Sequence, residues 1–379
     1  MADQKRLFLV DAYALIFRGY YAFIKNPRIN SKGLDTSAIM GFMNSLLDVI
    51  KRERPDHLAV CFDKGGSADR VEMFQEYKAN RDATPEPITQ AIPYIFSILE
   101  AMHIPIMVKK GFEADDVIGT LSKQAEKEGY KIFMVTPDKD FAQLVSENIF
   151  MYKPRFGGGY DIWGVPEVLE KFAVTDPLQV IDFLGMMGDS ADNIPGLPGV
   201  GEKTAKKFLA QFGSMEGLLA NTDQLKGKMK EKVEANGELG LLSKKLATIM
   251  LDVPVTFNAK DFTLDQPDLE KVEEIFNELE FRQLLTNFLK TFATETTTNA
   301  SDNSSKNTDT PKKAATNAEG QFDLFAAPGS GSINQEESLS GFKSITNTNH
   351  FYQHIDSPLS RKLLIKKLMQ QTSVCFDTE

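Results

Sequence analysis

The stretch GFEADDVIGT, residues 111–120, sets Glu113, Asp115 and Asp116 within four positions at the start of a helical pattern. Like charges this close repel by roughly 1 kcal/mol per pair in water, and by several times more in a partly buried site. Acidic side chains do suit a helix start, where free N–H groups need acceptors and the macrodipole is positive. Taken alone, the cluster reads as such a start. Further acids change that reading. Asp11 directly follows the apolar run LFLV, Asp63 directly follows AVCF, and VTPDKD sets Asp138 and Asp140 just past a fourth apolar run. GMMGDSADNIPG adds Asp189 and Asp192, whose spacing of three predicts one helical face. Repulsion among so many acids would destabilise a fold unless cations offset it. Oxygen-only ligands suit Mg²⁺ or Mn²⁺, and a chain with 4 His and 2 Cys offers little to zinc. Two such ions about 4 Å apart activate a water and stabilise the leaving oxygen in phosphodiester hydrolysis.

The elements that must position these acids follow from the apolar pattern. The runs RLFLV (6–10), HLAVCF (57–62), IPIMV (104–108) and KIFMVT (131–136) alternate with helical patterns such as AIMGFMNSLLDVIKRE and DDVIGTLSKQAEKEG. This predicts an α/β fold with a mostly parallel sheet flanked by helices. Ligands of such sheets bind beyond the carboxyl ends of the strands, where Asp11, Asp63 and Asp138 are expected to converge. From about 165 to 290 helices dominate. Residues 293–343, rich in Thr, Asn, Ser, Ala and Gly, read as a disordered linker. Residues 344–379 recover a helix-then-strand pattern that stops inside a strand, as in a piece of something longer. The expected organisation is therefore an α/β catalytic core over 1–164, a helical region over 165–292, a linker over 293–343 and a truncated domain start over 344–379.

The apolar fraction of 42%, with 27 Phe, is enough to fill real cores. A formal net charge of −10 excludes a simple basic coat for nucleic acid, but not an acidic site beside local basic patches. The cysteines, Cys61 and Cys375, stand far apart in strand-like runs, so no disulfide framework is expected. With no membrane span or cleavable leader in the pattern, the sequence predicts a cytoplasmic, monomeric protein.

Two basic stretches accompany the acids. In GLPGVGEKTAKKFLAQFG, residues 196–213, Gly199 and Gly201 permit a tight turn before a helix, and Lys203, Lys206 and Lys207 add charge. Free amides at such a helix start hold phosphate without reading bases. RVEMFQEYKANRDATPEP, residues 70–87, carries Arg70, Lys78 and Arg81 with Phe74 and Tyr77 between them. Cations that grip phosphate beside aromatics that stack on bases suit a single strand. As a bare pattern it equally fits an exposed amphipathic helix.

Together, FLVDAYALIFR, VCFDKGGSADRVEMFQEYKANR, GFEADDVIGTLSKQAEKEGY, TPDKDFAQLV and GDSADNIPGLPGVGEKTAKKFL resemble the 5′-nuclease domain of bacterial DNA polymerase I. That domain lies within the flap endonuclease superfamily, a PIN-like α/β fold, and the resemblance covers about residues 5–290. It implies a helical arch and a helix-hairpin-helix region. It also implies a two-metal site: Asp11, Asp63, Glu113, Asp115 and Asp116 around one ion, and Asp138, Asp140, Asp189 and Asp192 around the other. Lys78, with Arg81 beside it, matches the arch lysine that positions the scissile phosphate. Tyr77 matches an aromatic that stacks on the frayed 5′ nucleotide, with Arg70 on the same basic stretch. Residues 199–207 match the hairpin that holds downstream duplex, where K⁺ is usual.

The resemblance implies cleavage of 5′-flapped, nicked or branched DNA, including RNA primers, in replication and repair. The rival expectations are a single-strand ribonuclease of the related PIN-like type and a non-catalytic DNA-binding scaffold. VCFDTE at 374–379 resembles the first motif of a 3′–5′ proofreading domain, whose Asp377 and Glu379 are expected to be inert without the remaining motifs. QFDLF within the linker resembles a bacterial sliding-clamp-binding pentapeptide. Gln321 would enter a polar pocket and Leu324 and Phe325 an apolar one, and Phe322 is the single departure.

Overall fold

The computed structural model describes residues 4–155 and 158–292. The expected linker and truncated domain, and with them Gln321, Phe322, Leu324, Phe325, Cys375, Asp377 and Glu379, lie outside the described residues. Strands β1 (Arg6–Asp11), β2 (His57–Phe62), β3 (Ile106–Val108), β4 (Lys131–Val135), β5 (Ile149–Pro154) and β6 (Tyr160–Trp163) form one sheet in the order β3-β2-β1-β4-β5-β6. All neighbours are parallel except β5 and β6. Val10 of β1 registers with Val60 of β2 and with Val135 of β4, so the three strands end level. The chain order reverses between β1 and β4, which opens a crevice at their carboxyl ends.

The apolar runs account for β1 to β4. They miss β5, which follows β4 after only a short 3-10 turn at Lys139–Leu144, and β6, a half-exposed edge strand with little apolar signal.

Before the helical half come α1 (Ala12–Ala22), α2 (Ser37–Glu53), α3 (Ala68–Met73), α4 (Glu86–Ala101) and α5 (Ala114–Lys127). The helical half comprises α6 (Val165–Phe172), α7 (Gln179–Met187), α8 (Glu202–Phe212), α9 (Met215–Ala220), α10 (Gly227–Ala235) and α11 (Gly237–Ala247). Two further helices, α12 (Leu269–Glu278) and α13 (Arg282–Phe292), follow.

Alternation along β1 decides which helices lie on which face. Leu7 and Leu9 join a core with Val117, Ile118 and Leu121 of α5, and that core runs on through Val180 and Phe183 of α7 to Phe208 of α8. Phe8 and Val10 face the opposite way, onto Leu15 of α1, Phe42 and Leu46 of α2, and Ile95 of α4. Each fully buried side chain of this size stabilises by roughly 1.5–3 kcal/mol. Covering on both faces is why the strands read as continuous apolar runs. Within the stretch expected to be one helical region, α12 and α13 return to pack on α4 and α2. Among the described residues, no helix is long and apolar enough to cross a membrane.

Candidate active site

The acids do meet at the carboxyl edge of the sheet, and several are helix caps as well. Asp11 ends β1 and caps α1: its Oδ1 accepts from the Ala14 amide at 3.1 Å. Its Oδ2 accepts from the Thr136 hydroxyl at 3.0 Å, one strand away. Asp63, just past β2, accepts from the Ala114 amide at 2.8 Å and so ties β2 to the start of α5. Asp138 caps the 3-10 turn, accepting from the Asp140 amide at 3.0 Å. The cap reading and the site reading are thus compatible. A carboxylate held by one backbone amide is fixed in direction, and its remaining lone pairs stay available.

Asp189 and Asp192 do not share a helical face. They lie in a hairpin in which Asp189 and Ile194 exchange backbone hydrogen bonds of 2.9 and 2.7 Å. Gly188 (φ +75°) and Gly196 (φ +65°) make it possible, since a Cβ at Gly188 would lie 2.6 Å from the Ile194 carbonyl oxygen. One at Gly196 would lie 2.5 Å from the Gly188 nitrogen. A side chain at either would force the turn open.

The cation-bearing stretch departs furthest from expectation. In place of a helical arch, α3 ends at Met73 and residues 74–85 form turns and extended chain laid over the acids. Arg70 is 2% exposed, so it cannot meet DNA as placed. It forks onto Asp116 with contacts of 2.8 and 2.7 Å and also donates to the Leu246 and Thr248 carbonyls. Asp116, expected at a metal, is fully buried; it accepts also from the Met250 and Glu113 amides at 2.9 and 3.2 Å. Tyr77, expected to stack on a nucleotide, is 6% exposed and donates its hydroxyl to Glu113 at 3.1 Å. Burial, then Glu113, pushes that phenol's pKa up, so it stays a donor.

Lys78 lies between Glu113 (2.8 Å) and Asp192 (3.5 Å), and Arg81 pairs with Asp192. Lys139, within DKD, pairs with Asp189 and lies 3.8 Å from Asp140. Sequence reasoning missed Lys139, although its place between two acids was a readable signal. Thr136, Asn80 and Asn193 were missed too. The Asn80 amide donates to the Ser190 carbonyl at 2.7 Å, and the Asn193 amide donates to the Glu76 carbonyl at 2.6 Å. The Lys78 amide donates to the Asp192 carbonyl at 2.9 Å. Lys78 (φ +56°) and Asn193 (φ +55°) both hold left-handed backbone, which costs a lysine on the order of 1 kcal/mol.

Electrostatics unite the set. Burial, with repulsion from Asp63 and Asp138, pushes Asp11 up to about 7 against the relief of its hydrogen bonds. Asp115 is raised well above the carboxylate range by burial and by Asp11, Asp138 and Asp63. Asp140 is raised likewise, by burial and then by Asp138. Burial pulls the Lys78 ammonium down, but Glu113 and Asp192 outweigh it and its pKa ends raised. Among the described residues no three acids are close enough to enclose an ion as they stand. Lys78 and Lys139 lie between them instead. The donor set nonetheless fits a hard cation: it is all oxygen, and Asp140 Oδ1 is buried with no hydrogen-bond partner. Asp11, Asp63, Glu113, Asp115, Asp138, Asp140, Asp189 and Asp192 belong to this fit. The satisfied oxygens of Asp116 do not.

The second basic stretch leads into α8. Helix α7 is joined to α8 by the Asp189–Ile194 hairpin and the turn that follows it. Gly199 is left-handed (φ +84°), but Gly201 is not, and a Cβ there would meet nothing within 4 Å. Gly201 caps α8, and Lys203 and Lys207 are exposed on that helix. Lys206 is instead engaged, donating at 2.8 Å both to the Lys171 carbonyl and to Glu202.

Residues 6–173 match the family model described as "5'-3' exonuclease, N-terminal resolvase-like domain". Residues 175–270 match "5'-3' exonuclease, C-terminal SAM fold". The DNA polymerase I of Bacillus caldotenax is 40% identical over 285 residues, which cover 74% of this chain and 32% of that protein. This chain therefore spans about a third of the length of such polymerases. A 5'-3' exonuclease of Aquifex aeolicus (strain VF5) is 36% identical over 289 residues, covering 76% of this chain and 97% of that protein. Among solved structures, the T5 D15 protein co-crystallized with metal ions aligns with a TM-score of 0.55 at 21% identity, covering 75% of this chain and 99% of that one. The catalytic core of Rad2 in complex with DNA substrate aligns at 0.53 and 17% identity, covering 76% and 92%. At such identities these two likenesses bear on the fold alone.

Proposed function

The chain belongs to the 5'-3' exonuclease family, the nuclease kind carried by DNA polymerase I, and from that premise we propose its substrate and mechanism. It hydrolyses phosphodiesters at 5′ ends and 5′ flaps of nicked or branched DNA, including RNA primers, with two Mg²⁺ or Mn²⁺ ions. The observation that carries this reading is the acidic crevice, where carboxylates from β1, α5 and the 3-10 turn after β4 share one edge and neighbouring acids raise their pKa values. Divalent ions bound there would lower the pKa of a water and stabilise the leaving oxygen.

The chain's own residues do the rest. Asp11, Asp63, Glu113 and Asp115 supply oxygens on one side of the crevice; Asp138, Asp140, Asp189 and Asp192 supply them on the other. Lys78 and Arg81 neutralise Glu113 and Asp192. A scissile phosphate offers them a second anion, so their charge can pass from the acids to the substrate and meet the negative charge that develops there. The amides at the start of α8, where the Gly201 cap offers no side chain to them, suit the phosphates of the downstream duplex together with exposed Lys203 and Lys207. A K⁺ ion at the Gly199–Gly201 turn belongs to the same proposal. Those contacts read shape, so no sequence preference is expected.

A labelled 5′ flap incubated with Mg²⁺ or with EDTA tests the reading. Cleavage near the junction with Mg²⁺ alone is the expected result, and a flap left intact in both refutes it. Free single-stranded RNA as competitor substrate separates the ribonuclease alternative. Clamp docking through Gln321, Leu324 and Phe325, with Phe322 the departure, is a further part of the proposal, since a tethered short anchor raises effective concentration at junctions. Equal binding of a clamp by the 317–329 peptide and by its triple alanine variant at Gln321, Leu324 and Phe325 would remove it.

A further inference from the structure

We infer that Arg70 and Asp116 act as one buried positioning unit that sets Glu113 and the start of α5 for the reaction, and that neither touches metal or DNA. The inference rests on the nuclease reading but makes a separate claim about two residues whose chemistry alone would put them in the site. All four lone-pair directions of the Asp116 carboxylate are used. Oδ1 accepts from Arg70 (2.7 Å) and from the Met250 amide (2.9 Å), and Oδ2 accepts from Arg70 (2.8 Å) and from the Glu113 amide (3.2 Å). Nothing is left for an ion.

The guanidinium is equally committed. Besides the fork onto Asp116, it donates to the Leu246 carbonyl (3.1 Å) and the Thr248 carbonyl (2.8 Å), and it lies 3.6 Å from the Glu113 carboxylate. Its side chain is 3% exposed. One arginine thus joins α3, the start of α5 and the C-terminal end of α11 with the residue that follows it, and a lysine could not reproduce its planar five-donor fork.

Glu113 is the residue this unit controls. Its backbone N–H is held by Asp116, and its carboxylate is flanked by Arg70, Tyr77 and Lys78. Rotation of the α5 start would move Glu113, Asp115 and the Ala114 amide that fixes Asp63 together. The pair therefore works on the reaction through the geometry of other carboxylates.

A double-mutant cycle tests this, with Arg70→Met, Asp116→Leu and the combined variant in the full chain. The readouts are the thermal midpoint, kcat and KM on a 5′ flap with Mg²⁺, and the salt dependence of flap binding in EDTA. Arg70→Met leaves buried Asp116 without its cation and Asp116→Leu leaves Arg70 with only the 3.6 Å contact to Glu113, so each lowers the midpoint, and removing both charges recovers much of it. Loss of a group that orients a site costs about 10- to 100-fold in activity. The expected pattern is that loss in kcat for either single variant, the same loss and no more in the double, and unchanged KM and salt slope. Arg70→Lys and Asp116→Asn, milder exchanges, carry the same test if a variant does not fold.

Three results would overturn the inference. Multiplying losses in the double variant would mean independent roles, as for a true metal ligand. A salt slope reduced by about one in the arginine variants would make Arg70 a phosphate contact. Recovery of kcat along with the thermal midpoint would make the pair a structural staple alone. Failure of the nuclease reading itself would be distinct, because the wild-type chain would then be inactive.

Discussion

The stretch from Arg70 to Arg81 and the stretch from Gly199 to Lys207 read alike in sequence: each is a basic run beside a cluster of acids. In the structure they are opposites. The cations of the first are all paired to acids, with Arg70 buried on Asp116, Lys78 on Glu113, and the more exposed Arg81 on Asp192. The second presents Lys203 and Lys207 to solvent at a helix start and engages only Lys206 locally. The same residue types supply internal counter-charge in one place and an external grip in the other. What separates them is the partner each backbone brings within reach: buried carboxylates at the sheet edge for the first, free amides at a helix terminus for the second.

The comparison breaks first, and hardest, at the acids. Asp115→Asn removes a carboxyl whose ionisation is opposed by burial and by the surrounding Asp11, Asp138 and Asp63, and which a metal ion would draw into its charged form. Cleavage of a 5′ flap should fall by a factor of about a thousand or more, the scale of losing a major electrostatic contributor. Flap binding in EDTA should hold, because a carboxyl raised this far above its usual range carries little charge there for the exchange to remove. Residual Mg²⁺-dependent cleavage near the wild-type rate would take Asp115 out of the machinery.

Next come the two basic stretches themselves. Lys78→Ala should lower kcat about a hundredfold and leave KM nearly unchanged. The Lys203→Ala, Lys207→Ala double variant should do the reverse, weakening binding and reducing the salt slope by about two with kcat intact. Lys206→Ala should change the slope less than either exposed lysine does, since its ammonium is already held by Glu202. Steady-state kinetics and binding at several salt concentrations decide between the stretches. Identical profiles for the two variants would erase the distinction.

How far the sequence leads differs between these regions for a physical reason. Strand runs and the acids that end them are local signals: LFLV-D and AVCF-D name both the strand and its carboxyl end. The start of α5 was likewise legible, because Glu113, Asp115 and Asp116 precede a clear helical period. What escaped depends on long-range contacts. Nothing in RVEMFQEYK tells that Arg70 meets the Leu246 and Thr248 carbonyls across 176 and 178 positions of chain. Burial of Tyr77 depends likewise on where α5 and the hairpin lie. Of the two expected turn glycines Gly199 takes left-handed backbone and Gly201 does not, while Gly188 and Gly196, which the sequence did not single out, are constrained by a backbone approach that only the folded chain reveals.

Acid–base behaviour sharpens the comparison further. Asp11 is raised from 3.8 to about 7, so the folded state binds its proton more tightly than the unfolded state does. Its contribution to stability is fully present below about pH 4 and is lost as pH rises through 7, by an amount on the order of a few kcal/mol. In EDTA the wild-type chain should therefore lose stability between pH 5 and 8 relative to Asp11→Asn. Mg²⁺ should narrow that gap. Denaturant titrations of both chains at the two pH values measure it, and parallel pH profiles would show that Asp11 is not strained by its neighbours.

The smallest expected effect concerns what holds the first stretch inward. Ion pairs alone are a loose restraint where water can enter, yet the 76–81 segment and the 189–193 hairpin also share neutral hydrogen bonds. Asn80 donates to the Ser190 carbonyl, Asn193 to the Glu76 carbonyl, and the Lys78 amide to the Asp192 carbonyl. The left-handed backbone at Lys78 and Asn193 is tolerated because these contacts over-determine it. An asparagine tolerates that conformation better than most residues, so Asn193→Ala loses a bond and adds strain, whereas Asn80→Ala loses only a bond. Each bond contributes about 1 kcal/mol, so the double alanine variant should melt only a few degrees lower. Its informative change is local. Amide hydrogen exchange at Lys78 in the DNA-free protein should accelerate in Asn193→Ala more than in Asn80→Ala, with the sheet amides unaffected. Unaltered exchange at Lys78 in both would mean that the acids alone hold the cations in place.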